Sequence, residues 1–148
     1  MSDYVNKVVT IILVFVMLVL APLLISYMTT DMRAQRLVLN DTTNFIDRVT
    51  DKGSITQEDL DQFYLSINSH GLILDANVKR LVRVATTVPG GEIKTVYFPV
   101  EDMSFMNTGD VVQVNVEEVG ISGLRNITYN ILKIDNGQFK FNLAGAVR

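Results

Sequence analysis

The 148-residue chain has no cysteine, a single histidine and only three prolines. The missing cysteine excludes disulfides, thiol nucleophiles and cysteine-ligated zinc. A net charge of −3 provides no basic surface of the kind that binds nucleic acid by neutralising phosphates, so no nucleic-acid partner is expected. G-x-S-x-G, P-loop, H-E-x-x-H and complete calcium-loop patterns are all missing. The one histidine, His70, reads as a capping or surface residue. Glu58, Asp59 and Asp61 fall in the first turns of a predicted helix, where acids complement the helix dipole. Glu101-Asp102 and Glu117-Glu118 read as solvated acids, since a carboxylate pair without an orienting partner is a weak basis for acid–base catalysis. No catalytic constellation, metal site or cofactor is expected, and the reading is that of a non-enzymatic protein.

The chain does possess a membrane-length apolar run, residues 8–28 (VVTIILVFVMLVLAPLLISYM), uncharged and interrupted only by Thr10 and Ser26. At about 1.5 Å per residue it spans about 31 Å, the thickness of a hydrocarbon core. A single segment crossing that layer must be helical, because only a helix satisfies its own backbone. The run exceeds the apolar core of a signal peptide, and Tyr27-Met28-Thr29-Thr30-Asp31 offers no small-residue cleavage site, so a retained helix is expected. Its membrane- or core-facing positions are Val8, Ile12, Phe15, Val19, Pro22 and Ile25. Flanking charges are nearly balanced, with Lys7 against Asp3 on one side and Arg33 and Arg36 against Asp31 on the other. The positive-inside count therefore does not orient the span. The β-rich remainder favours a single-pass membrane protein with its C-terminal domain outside.

The helical pattern continues past Met28. Ala34, Val38, Thr42, Phe45 and Val49 make one stripe at steps of 4, 4, 3 and 4, which predicts one long helix over residues 1–50, apolar first and amphipathic second. Pro22 inside it is expected to kink it. Residues 51–71 read as a turn and a short helix: Thr56 and Asp59 form a capping box, Ile55 and Leu60 a hydrophobic staple, and Gly71 a left-handed stop. From residue 72 the period becomes two. Leu74, Ala76, Val78, Arg80, Val82 and Val84 share one face, Pro89-Gly90-Gly91 turns the chain, and residues 93–100 return. Val112, Val114 and Val116 alternate with polar residues after a Gly109-Asp110 turn. Residues 127–134 read as a further strand, joined through an Asp135-Asn136-Gly137 hairpin to a last strand from Phe139 to Leu143. The expected fold is α+β: a long N-terminal helix and a short helix packed on an antiparallel sheet of four or five strands over residues 72–148. Ala34, Val38, Phe45 and Val49 form the helix–sheet seam.

This layout resembles type IV pilins and the pilin-like proteins of Tad-type secretion systems. In both, an apolar N-terminal helix continues as an amphipathic helix that covers an antiparallel sheet. Pro22 sits where type IV pilins carry a helix-breaking proline when Met1 is counted as the mature first residue. Gly53-Ser54-Ile55-Thr56 before a short helix and Gly109-Asp110 before a strand are similar to the TadE-like branch. Pilins place a glutamate at the fifth position to pair with a neighbour's amino terminus. Here that position is Val5, the nearest acid is Asp3, and no glycine-ended leader is visible; Asp3 and Lys7 are the candidate inter-subunit charges. The resemblance implies a structural subunit of an extracellular pilus-like filament, self-assembling as a helical array and handled by membrane-bound assembly proteins. The alternative is a bitopic anchor of a secretion, Tad or conjugation envelope machine with an extracytoplasmic docking domain. A membrane-anchored enzyme or ligand-binding domain and a soluble domain with a buried helix are the remaining readings. Assembly also has a physical basis. Exposing about 1,000 Å² of apolar helix to water costs on the order of 25 kcal/mol, which a bundle of like helices would offset, and an open heterologous contact generates a filament.

Overall fold

A computed structural model describes residues 2–87, 89–121, 123–133 and 137–148. Helical residues run from Ser2 to Lys52: α1 (Ser2–Phe15), a five-residue π-helical turn (Val16–Leu20) and α2 (Ala21–Lys52). There follow α3 (Gln57–Asn68), β1 (Ile73–Thr87), β2 (Ile93–Val100), β3 (Val111–Gly120), α4 (Gly123–Leu132) and β4 (Lys140–Ala146). The four strands form one antiparallel sheet in the order β2-β1-β3-β4. The fold is therefore the expected α+β arrangement of a long helix, a short helix and an antiparallel sheet. The chain divides into two compact units, one through Gln35 and one from Arg36 onward.

In the first unit Pro22 acts through the turn before it. Proline has no N–H, and its ring crowds the carbonyl four residues back. The backbone widens ahead of it, and the Ala21 N–H reaches the Val16 carbonyl, five residues back. That is the π-bulge way of absorbing a bad helical register. Hydroxyls within this helix bond locally: Thr10 donates to the Asn6 carbonyl at 2.8 Å and Thr29 to the Ile25 carbonyl at 2.8 Å.

The second unit holds the core. Val38, Phe45, Ile46 and Val49 of α2 and Phe63 and Ile67 of α3 pack with Leu74, Ala76 and Val78 of β1 and Val112, Val114 and Val116 of β3. Val38, Phe45 and Val49 are thus core residues as the periodicity predicts, while Ala34 falls in the first unit and is half-buried. Phe45 stacks on Phe63 with centroids 4.4 Å apart and planes 20° apart. Two buried threonines on the same helical face, Thr42 and Thr50, return their hydroxyls to the Val38 and Ile46 carbonyls at 2.8 Å, which lets polar residues sit in an apolar seam. The helix approaches β4 so closely that a Cβ on Gly145 would collide with Ile46 Cγ2.

The turn after α2 is fixed from two sides. Ile55 N–H donates to the Met103 carbonyl and Met106 N–H to the Gly53 carbonyl, both at 2.9 Å. The capping box is present: Thr56 accepts from the Asp59 N–H, and Asp59 accepts from the Thr56 N–H at 3.0 Å and from Lys52 at 2.8 Å. Ile55 is buried and Leu60 half-buried, as a staple needs. Gly71 has a left-handed φ of 79°, but α3 ends earlier, at Asn68, with Ser69 as its cap.

One predicted strand is wrong. The alternation of Ile127, Tyr129, Ile131 and Lys133 with their neighbours predicts a strand over residues 127–134, yet residues 127–132 lie in α4. Arg125 and Thr128 are buried while Asn126 and Ile127 are exposed, a helical spacing of three. An extended chain would put those two residues on opposite faces. The head segment 72–148 is therefore not all sheet. Asp135 and Asn136 of the predicted hairpin lie outside the described residues.

Two consequences are measurable by denaturation of the full chain in detergent. Gly145→Ala should destabilise it by about 1–3 kcal/mol, because the added methyl forces α2 off the sheet. The Asp59 carboxyl is lowered from 3.8 to about 2, first by its hydrogen bond from Lys52, then by Thr56. A folded-state pKa below the unfolded one gives stability that is present above the unfolded value and lost as pH falls through the folded one. The stability difference between wild type and Asp59→Asn should therefore be flat above about pH 5 and shrink as pH falls from about 4 toward 2.

Candidate functional site

The most unusual surface is the N-terminal helix itself. The span from Asp3 to Lys52 contains a stretch long and apolar enough to cross a membrane. Val8, Ile12, Phe15, Val19 and Ile25 are all exposed, and Ile11 is exposed to 69%. Asp3 and Lys7 are exposed at its start. Pro22 marks the irregular turn described above.

A second exposed apolar surface lies on the sheet. β1 is 15 residues long, but only its first part, through Leu81, pairs with β3. From Val82 onward it pairs with β2 alone, leaving a two-stranded ribbon beyond the three-stranded region. The alternation that places Leu74, Ala76 and Val78 inward also puts Val82 and Val84 on that face, opposite Phe98 and Val96. There the helices no longer cover them: Val84, Val96, Phe98 and Val100 are exposed, Phe98 to 52%. A bare two-stranded ribbon is marginal in water.

The outer edge of the ribbon is blunted by Pro99. The Arg83 N–H points toward Asp110, so the Arg83–Tyr97 pair is one that exchanges no bonds. By alternation Pro99, like Tyr97, directs its backbone outward, where a proline has no N–H to offer an incoming strand.

The ribbon is rooted in a buried ion pair that the sequence did not reveal. Asp110 Oδ2 accepts from Arg80 Nη2 at 2.6 Å, Arg80 Nε at 3.1 Å and the Asn107 N–H at 3.0 Å. Its Oδ1 accepts from the Arg83 N–H at 3.3 Å, and Arg80 Nη1 donates to the Asp102 carbonyl at 2.9 Å. Burial pushes the Asp110 carboxyl up, but these donors more than offset it and hold it below 3.8. A second such pair corrects the reading of Glu117-Glu118 as solvated acids. Glu117 does meet solvent and pairs with Lys140 at 2.7 Å. Glu118 is only 2% exposed, accepting from Arg125 at 2.5 Å and from the Phe139 N–H at 3.1 Å. The usable signal was parity: Arg80 follows Leu74, Ala76 and Val78 at steps of two, and Glu118 follows Val112, Val114 and Val116.

His70 is brought to Asp41 of α2, with Nε2 at 2.9 Å from Oδ2, and Ser66 donates to the same oxygen. Burial raises the Asp41 carboxyl, and the bonds from Ser66 and His70 outweigh it, leaving the group below 3.8. An activated serine needs its proton accepted by an adjacent base such as an imidazole. Here the hydroxyl donates to the carboxylate, which joins α3 to α2. An open cleft of about 380 Å³ beside it is lined by Asn44, Phe45, Arg48 and Gln62, among others. Among the described residues no group of three or more His, Asp or Glu is placed to hold a metal ion.

No family model, curated protein or solved structure matches the chain.

The buried pair gives a prediction. Asp110→Ala leaves Arg80 charged and buried and should cost about 3–5 kcal/mol in chemical denaturation. Arg80→Met combined with Asp110→Leu should cost distinctly less than Asp110→Ala alone.

Proposed function

We infer that the chain is a structural subunit of an extracellular pilus-like filament, polymerising through its apolar N-terminal helix. The observation that carries this reading is the exposed apolar surface that Val8 to Leu20, Leu23 and Ile25 present. Lipid or a bundle of like helices would cover it equally well, so the same side chains suit both a membrane-held precursor and a filament core. The amphipathic continuation packed on its own sheet supports the reading further, since it gives each subunit a folded head to carry outside. Packing along the run sets the register, with Asp3 and Lys7 as the nearby charges.

The ribbon favours a second reading. An exposed apolar face on an outward domain suits a bitopic anchor whose head docks onto other components of an envelope machine. Shearing separates the two. In the filament reading, wild-type chain is released by shear as a polymer. Val14→Asp, with a charge near the middle of the run costing about 3 kcal/mol per subunit, abolishes the polymer. Normal polymer from Val14→Asp would overturn the helix-core reading.

A further inference from the structure

The sheet face opposite the helices carries an unexpected row. In register across three strands stand Asn77, Asn115 and Asn142. Gln113 and Lys79 occupy the next row in one direction, and Asp75 lies in the next row in the other. Together these six side chains line an open depression of about 350 Å³. Strands favour threonine and other β-branched or aromatic residues. Asparagine and aspartate are depleted in strands, on a scale spanning about 1 kcal/mol. Three asparagines in one cross-strand row, inside their strands rather than at the ends, run against local preference, and such conflicts concentrate at functional positions. Nothing within the fold compensates: among the described residues, none of the four amide side chains makes a hydrogen bond.

The chemistry of the row limits what it can bind. Each primary amide offers two donors and an accepting oxygen, so four of them form a grid of mixed donors and acceptors. Within the depression Asp75 and Lys79 cancel in charge and the adjoining Glu117–Lys140 pair is also balanced; Arg83 adds one cation only beyond it, beside Tyr97. The face is thus complementary to a neutral ligand rich in groups that both donate and accept. The same face continues along β1 to Arg83, opposite Tyr97, which is 45% exposed. Asn77 to Arg83 covers about 20 Å at about 3.3 Å per residue, a track for a linear chain rather than a pocket for one small molecule. The geometry points to a binding face for a neutral, linear glycan, held by the Asn77–Asn115–Asn142 row and continuing toward Tyr97. This proposal is independent of the filament reading, because it concerns only the head domain.

The test uses the full chain, labelled with ¹⁵N, in a zwitterionic detergent, since sugar-headed detergents would compete. Chitotetraose and cellotetraose are titrated while the asparagine and glutamine side-chain amide signals are followed, with a heparin oligosaccharide as the anionic comparison. At least one neutral tetrasaccharide should shift the amides of Asn77, Gln113, Asn115 and Asn142 saturably, with a dissociation constant on the order of 1 mM. Its disaccharide should bind more weakly. The Asn77→Thr, Asn115→Thr double variant should lose at least about tenfold in affinity while its denaturation midpoint holds or rises, because threonine is the better strand former. The proposal is overturned if neither tetrasaccharide binds, if only heparin binds, or if the double variant binds as wild type does. Should the double variant not fold, the wild-type titration decides alone: saturable shifts confined to other amides reject the row.

Discussion

Apolar surface on a helix has to be covered, and this chain meets the requirement in two ways along one run of helical residues. From Val38 to Val49 the apolar stripe is covered by the protein's own sheet and by Phe63 and Ile67 of α3. In the first unit the apolar side chains from Val8 to Leu20, with Leu23 and Ile25, are exposed. At about 25 cal/mol per Å² the second stretch cannot be left to water. That stretch is long and apolar enough to cross a membrane.

The head in turn is organised by a few polar anchors inside an apolar frame. Asp110 gathers the side chain of Arg80 and the backbones of Asn107 and Arg83, so the loop between β2 and β3 is tied to β1 where β3 begins. Glu118 gathers Arg125 of α4 and the backbone leading into β4. Buried charges of this kind are no net gain over well-packed apolar residues. What they provide is a fixed connection: each joins segments that the sheet ladder alone does not hold. Gly145 has the opposite role, permitting contact by having no side chain.

Much of this was legible in the residues. The helical stripe through Val38, Phe45 and Val49, the Thr56–Asp59 box, and the alternation of Val112, Val114 and Val116 each follow from a period or a spacing that local geometry enforces. What could not be read depended on distant partners. Arg80 and Glu118 have the parity of core residues, but their partners lie 30 and 7 positions away, and no local rule names them. α4 has the sequence pattern of a strand because Ile127 and Tyr129 alternate with polar residues. Helical geometry instead brings Arg125 and Thr128 to one face, and Arg125 to Glu118. The asparagine row was invisible because Asn77, Asn115 and Asn142 meet only through strand register, and the bare ribbon because nothing in residues 93–100 says that their partner outruns β3.

Filament and anchor differ in what covers residues 8–28, and helical reconstruction from electron micrographs of sheared native material observes that covering directly. In the filament reading the material is an open helical array in which residues 8–28 of successive copies pack against one another in the core, with the sheet-bearing heads outside. Sheared material without such an array, and chain found only as single copies in the membrane fraction, would contradict it.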